Sequence, residues 1–120
     1  MPKSLLIISR QSPWSGTSAR EALDIALAGG AFDLPLGMLF LDDGVLQLRP
    51  AQTSNQLQQK DLTANLQALE MFGVEDLYAC ATSLAERGMS PSELGIEALQ
   101  VLRDHELVSL IDRYDQVITI

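Results

Sequence analysis

The chain has 120 residues, with 8 basic and 16 acidic side chains that give it a formal net charge of −8. Its length fits one domain spanning residues 1–120, and its hydrophobic content of 47% is that of a globular protein. The acidic balance, without a cluster of Lys and Arg, argues against direct binding of a nucleic acid or an anionic membrane surface.

Neither a membrane span nor a secretory signal is expected, because no apolar run approaches the roughly 20 residues of a span and no cleavage pattern follows the first residues. Cys80 is the single cysteine, which excludes an internal disulfide and fits a reducing compartment. We therefore expect a cytoplasmic protein. One Cys and one His cannot assemble a zinc-type site within the chain, so neither a metal nor a cofactor is expected.

Buried strands alternate with amphipathic helices along the first half of the chain. The continuous apolar runs at residues 4–9 and 36–41 predict strands buried on both faces, as in a parallel sheet. A capping box at residues 18–21 opens a helix that ends at residues 29–30. A short helix is expected over residues 45–48, followed by a polar, Gln-rich loop at residues 51–60.

The same alternation continues in the second half. Apolar spacing over residues 62–72 predicts a helix, and residues 77–81 predict a third buried strand. A short helix from residue 82 to 88, a fourth strand within residues 96–101, a final helix with Asp104 as its N-cap and a closing strand at 117–120 follow. This order predicts a single three-layer α/β domain with a mainly parallel sheet of about five strands.

Reactive groups in an open parallel sheet gather at the carboxyl ends of its strands, and three polar segments fall there: residues 9–18, 42–44 and 80–83. The first segment lacks the glycine patterns of phosphate-binding loops, so its Trp14 is interpreted as a packing or interface residue. Asp42 and Asp43 resemble the acidic pair of a receiver domain, but they follow the second strand and the last strand has no lysine. We expect one of them to cap the next helix.

Cys80 is the candidate reactive group. It is predicted at the end of a strand and just before a helix, whose first amides would favour a thiolate. A free cysteine in an apolar strand is also commonly a small buried hydrophobe, and both interpretations stay open. His105, the only histidine, is expected to be exposed on the last helix, so no general base for Cys80 is evident.

Three segments resemble the DsrE/DsrF family, in its TusC (DsrF-like) branch: residues 20–24 (REALD), 38–48 (MLFLDDGVLQL) and 77–88 (LYACATSLAERG). The resemblance spans the whole chain. It implies a non-catalytic subunit of a sulfur-relay hetero-oligomer, a dimer of trimers with TusB-like and TusD-like sister subunits. Such a complex passes persulfide sulfur, through a downstream sulfur carrier protein, toward 2-thiouridine at the tRNA wobble position.

The resemblance also bears on individual residues. The essential sulfur carrier of the family is a cysteine of the TusD-like subunit, and Cys80 occupies the matching position without an essential role in this branch, so it is a candidate persulfide carrier only. We expect interface contacts from Trp14 and from the segment after the second strand: Asp43, Gly44, Val45, Leu46 and Leu48. Two alternatives stay open: a subunit of a related complex in sulfur oxidation, and a stand-alone thiol enzyme that uses Cys80.

Overall fold

A computed structural model describes residues 4–12, 18–31, 35–48, 68–69, 71, 74, 76–91, 94 and 99–120. In these ranges five strands form one sheet: β1 (Leu5–Ser9), β2 (Leu36–Phe40), β3 (Asp76–Cys80), β4 (Leu99–Leu102) and β5 (Gln116–Thr119). The helical segments are α1 (Ser18–Ala31), a 3-10 helix (Asp42–Leu48), α2 (Ala81–Glu86) and α3 (Asp104–Asp112).

Every pairing in the sheet is parallel, and the strand order is β4-β3-β2-β1-β5. In β1, Ile7 lies opposite Met38 of β2 on one side and Ile118 of β5 on the other. The predicted single α/β architecture with a mainly parallel, five-stranded sheet is confirmed. From β1 the chain steps outward to β4 and then returns past β1 to β5. Because parallel crossovers are right-handed, this reversal puts helices on both faces of the sheet.

Two apolar clusters fill the space between the sheet and its helices. On the α1 face, the first side of the sheet, α1, the 3-10 helix and α2 pack against alternate strand residues; members include Ile7, Leu23, Met38, Phe40, Val45 and Leu84. On the α3 face, the second side, Leu107 and Leu110 of α3 pack against the intervening strand residues; these include Leu6, Ile8, Leu39, Tyr78 and Cys80. Burial on both sides explains why β1 and β2 are apolar at consecutive positions.

Several element boundaries differ from the predictions. The 3-10 helix begins at Asp42 and α2 at Ala81, each earlier than expected, whereas β4 extends to Leu102. The prediction that Asp104 caps α3 is wrong. Arg103 is the N-cap, and its backbone N–H donates to the Glu106 carboxylate at 3.0 Å. Asp104 is the first residue of the helix, and its side chain bonds elsewhere.

Trp14 and the predicted loop at residues 51–60 lie outside the described residues, as does most of the predicted helix over 62–72. Where that helix is described, residues 68–69 and 71 are helical, with Leu69 buried and Met71 exposed. Within the described ranges, no helix combines the length and the apolar character that crossing a membrane requires.

Candidate functional site

The turns that follow β1, β2 and β3 meet at the carboxyl edge of the sheet. The Leu41 N–H donates to the carbonyl of Ser9 at 3.1 Å, which joins the first two turns. The Asp42 N–H donates to Oγ of Ser83 at 2.9 Å, which joins the second turn to the third. Hydrogen bonds therefore join the described parts of the three polar segments that the sequence placed after these strands.

Cys80 is the last residue of β3 and the N-cap of α2. Its Sγ accepts a hydrogen bond from the Ser83 backbone N–H at 3.4 Å. On its other side, the thiol lies 4.0 Å from Oδ1 of Asp104, the oxygen that also accepts the Thr82 hydroxyl at 2.9 Å. Only 3% of the residue is exposed. The thiol thus occupies a buried position at the strand-to-helix junction, with a contact on each side.

Ser83 connects Cys80 to the acidic pair, a role that the sequence did not reveal. It is buried. Its Oγ accepts a hydrogen bond from the Asp42 N–H, and its own backbone N–H donates to Sγ of Cys80. Its carbonyl accepts from Nη1 of Arg87 at 3.1 Å. All three polar groups of this serine have partners, as burial requires. The only sequence signal was its place in the first turn of a helix after a strand.

The carboxylates of Asp42 and Asp43 each bind an arginine. Asp42 accepts from Nε of Arg10 at 2.8 Å, and Asp43 accepts from Nε and Nη2 of Arg87 at 3.0 and 2.8 Å. Asp42 has a φ of 52°, a left-handed conformation that Asp tolerates better than most residues. The expected capping role is wrong. The 3-10 helix begins at Asp42 itself, and the described hydrogen bonds of both carboxylates are to guanidinium groups of neighbouring turns. The two aspartates therefore connect the turn after β2 to Arg10 and to Arg87.

Gln47 is a fully buried polar residue that sequence reasoning missed. Its Nε2 donates to Oγ of Ser9 at 2.7 Å and to the carbonyl of Gln11 at 3.0 Å. Its Oε1 is buried without a hydrogen-bond partner among the described residues. The side chain ties the 3-10 helix to the segment after β1, and a glutamine inside an otherwise apolar run was the available signal.

The predicted interface residues are placed differently from one another. Gly44, Val45 and Leu48 are buried within the chain, Leu46 is partly buried, and Asp43 is exposed beside Arg87. Trp14 is outside the described residues. The side chains of Val45 and Leu48 therefore belong to the core, which leaves Asp43 and part of Leu46 at the surface. That this segment contributes to a contact stays a prediction.

Tyr114 covers the amino end of the sheet on the α3 face. A Cβ atom on Gly37 would lie 2.1 Å from the Tyr114 hydroxyl oxygen, so the missing side chain makes room for the ring. Burial, together with nearby Tyr78 and Asp76, raises the pKa of Tyr114 far above its usual value and keeps the hydroxyl neutral. The two tyrosines border a cleft of about 300 Å³. Nothing in the sequence connected Gly37 with Tyr114.

The described contacts of Cys80 fix the position of its thiol. Its described contacts are an amide N–H and a carboxylate, and no described hydrogen bond joins it to His105, which is exposed on α3. A nucleophilic cysteine needs an adjacent base or a group that favours the thiolate. In the described part of the chain, no three metal-ligating side chains come close enough to hold an ion.

These features define a parallel α/β domain that buries its one cysteine between a strand and a helix. The model of the DsrE/DsrF-like family matches residues 3–120, and the chain belongs to this family. Over 120 residues, the whole of both proteins, the chain is 69% identical to "Protein TusC homolog" of Pseudomonas aeruginosa strain PAO1.

Two solved structures share the fold over the full length of both chains. The YchN protein from E. coli superposes with a TM-score of 0.76 at 23% identity. A protein of unknown function from Methanobacterium thermoautotrophicum superposes with a TM-score of 0.63 at 17% identity. At these identities the likeness concerns the fold alone.

Proposed function

We propose that the chain is a structural, non-catalytic subunit of a cytoplasmic sulfur-relay complex. In this complex it assembles with TusB-like and TusD-like sisters as a dimer of trimers. The complex passes persulfide sulfur, through a downstream carrier protein, toward 2-thiouridine at the tRNA wobble position. The observation that carries the proposal is the 69% identity, over the whole chain, to a TusC homolog.

The geometry of Cys80 supports a scaffold role for this subunit. A persulfide carrier must present its sulfur to a donor and then to an acceptor, because sulfur moves by attack of one sulfur atom on another. Here the thiol is buried, accepts the Ser83 N–H and approaches the Asp104 carboxylate. A second sulfur atom on Sγ would need space in a position that is already packed. Cys80 is better suited to cap α2 than to carry cargo.

The charges support an indirect relation to tRNA. The chain has a net charge of −8, which repels a phosphate backbone. Three of its arginines are engaged by carboxylates: Arg10 by Asp42, Arg87 by Asp43, and Arg20 by Asp24. We expect the isolated chain to have no appreciable affinity for tRNA. A salt-sensitive micromolar complex in a filter-binding titration would contradict this.

The Cys80→Ser variant tests the role of the thiol. Serine is close to cysteine in volume, and its hydroxyl can accept the Ser83 N–H as an N-cap. A deletion strain complemented with this variant should keep its 2-thiouridine content in bulk tRNA and still yield the complex. Loss of thiolation with an intact complex would make Cys80 a sulfur carrier, because a hydroxyl cannot hold a persulfide.

The matched control is Ser83→Ala, which removes the hydroxyl that binds the Asp42 N–H but leaves the thiol in place. It should lower stability by about 1–2 kcal/mol, since a buried donor loses its partner, and should leave thiolation unchanged. Co-purification of the wild-type chain with both sisters from the native source, followed by mass measurement, tests the assembly itself. Recovery of the wild-type chain alone would contradict the proposed function.

A further inference from the structure

Exposed apolar side chains are concentrated in α3 and β5. Six large apolar residues are exposed in the described part of the chain, and four of them lie in these two elements: Val108, Ile111, Val117 and Ile118. We name these four residues the α3–β5 surface. Only residues 113–115 separate the two elements, so they are adjacent where β5 begins. Val117 pairs with Leu6 and Ile118 with Ile7, so the side chain of Val117 lies on the face that carries α3 and that of Ile118 lies on the other face of the same edge strand. Exposed apolar side chains grouped at one edge of a domain are typical of an interaction site.

The backbone of β5 is also open toward this side. Gln116 and Ile120 donate their N–H groups to β1, at Ser4 and Ile8. Because the direction of these groups alternates along a strand, the N–H groups of Val117 and Thr119 point away from the sheet. All four residues of β5 are exposed, whereas β4, the opposite edge strand, exposes one residue of four.

Edge strands that stay uncovered usually carry a protective residue. Lysine, proline, a bulge or an inward-pointing charge prevents another strand from pairing there. The β5 sequence, Gln-Val-Ile-Thr, has none of these residues, and its two central side chains are β-branched and apolar. This composition is typical of a strand whose edge is covered by another part of a protein.

The charged residues around the α3–β5 surface indicate which kind of partner fits it. Exposed carboxylates of α3 and the following turn outnumber the exposed arginines beside them; the acidic residues are Asp104, Glu106, Asp112 and Asp115, and the basic ones are Arg103 and Arg113. A second copy of the chain would bring its own net charge of −8 against this acidic rim. Charge complementarity therefore favours a different protein, with an apolar centre and a rim of Lys and Arg.

We propose that the α3–β5 surface is where this subunit binds a sister subunit, one whose contact surface is apolar at its centre and basic at its rim. This inference rests on the proposed function, and it places the contact on α3 and β5, a different part of the fold from the segment around Asp43. The partner covers the apolar side chains and lies along the open edge of β5.

The test uses the full chain co-expressed with the TusB-like and TusD-like proteins of the same organism, with the tag on a sister. Val117→Lys puts a charge in the surface, and lysine is a residue that edge strands tolerate. The control is Ile25→Lys on α1, because Ile25 and Val117 are exposed to almost the same extent, 41% and 39%. We expect Val117→Lys to weaken recovery of the chain by at least about tenfold and Ile25→Lys to leave it unchanged.

The outcomes separate the two proposals. If the wild-type chain is not recovered with its sisters, the proposed function fails. If the wild-type chain and Val117→Lys are recovered equally, the function stands and the α3–β5 surface is overturned. A wild-type homodimer in light scattering that Val117→Lys dissociates, while the complex persists, would assign the surface to a second copy and also overturn the inference.

Hydrogen exchange on the unmodified proteins gives an independent measurement, should Val117→Lys fold poorly. Amides of residues 116–119 should exchange more slowly in the complex than in the free chain, because the partner shields the outward-facing N–H groups. Amides of α1 should change little. Equal exchange at residues 116–119 in the free and bound chain would overturn the proposal.

Discussion

Among the described residues, α1, the 3-10 helix, α2 and the helical Leu69 pack over the α1 face of the sheet, whereas the nine-residue α3 packs over the α3 face. The difference follows from the path of the chain. Three successive connections run in one direction across the sheet, and a single connection returns from β4 to β5. On the α3 face, Tyr114 fills the amino end over Gly37, whereas β5 is exposed on both faces of the sheet. In the described part of the chain, more helical segments therefore cover the α1 face than the α3 face, and the edge strand that follows the return connection stays exposed.

The largest expected effects come from a matched pair of neighbours in β2. Met38 points into the α1 face and Leu39 into the α3 face, and both are fully buried. Truncation to Ala should cost about 2–5 kcal/mol in each case, and Met38→Ala should cost about 1 kcal/mol more. The α3 face can close a cavity more easily, because one helix has to shift. Urea unfolding followed by circular dichroism measures both values, and equal costs would argue that the two faces are equally rigid.

Two glycines provide a second comparison. A Cβ on Gly44 would lie 1.9 Å from the backbone oxygen of Ser9, whereas a Cβ on Gly37 would meet the end of the Tyr114 side chain. Gly44→Ala should therefore destabilise by about 3 kcal/mol and Gly37→Ala by about 1–2 kcal/mol, since a side chain moves more easily than a strand.

The double variant Gly37→Ala with Tyr114→Leu identifies the cause. Removing the ring should relieve the clash, so the two changes together should cost less than the sum of the single changes. No such relief is expected for Gly44→Ala combined with Tyr114→Leu. Additive costs at Gly37 and Tyr114 would mean that the ring does not limit the space at Gly37.

Asp104 links the two faces around the sheet edge, because its carboxylate on α3 accepts the Thr82 hydroxyl on α2. Asp104→Ala should cost about 1 kcal/mol, through the lost hydrogen bond and the lost negative charge at a helix N-terminus. The control is Asp112→Ala at the last residue of the same helix, which should change stability by less than about 0.5 kcal/mol. Thermal unfolding of both variants measures the two losses of stability. Equal losses would mean that the Thr82 contact does not stabilise the fold.

The smallest effect is an alkaline one at Tyr114. Its pKa is raised in the folded chain by burial and by nearby Tyr78 and Asp76. The unfolded tyrosine loses its proton near pH 10, so the folded state becomes relatively less stable as the pH rises above about 10. Below that pH the contribution is fully present. Unfolding at pH 8 and pH 10.5 should show a steeper loss for wild type than for Tyr114→Phe, and parallel losses would contradict the assignment.

Much of the architecture could be read from local patterns. The apolar runs predicted β1, β2 and β3, and the alternation of strands with capped helices predicted a parallel sheet with helices on both faces. The placement of Cys80 between a strand and a helix was also predicted correctly. These features depend on neighbours within a few residues, where burial, side-chain period and helix capping act directly.

The contacts that define the site came from the tertiary structure. Asp104 was predicted to be a helix cap, yet its side chain accepts the Thr82 hydroxyl and approaches Cys80. The acidic pair, Asp42 and Asp43, forms ion pairs with Arg10 and Arg87. Ser4 and Asp115, which bond across the start of β1 and β5, are 111 residues apart in sequence. Such partners meet only once the strand order β4-β3-β2-β1-β5 is fixed. Strand order is set by the sum of many long-range burials, and no local pattern encodes it.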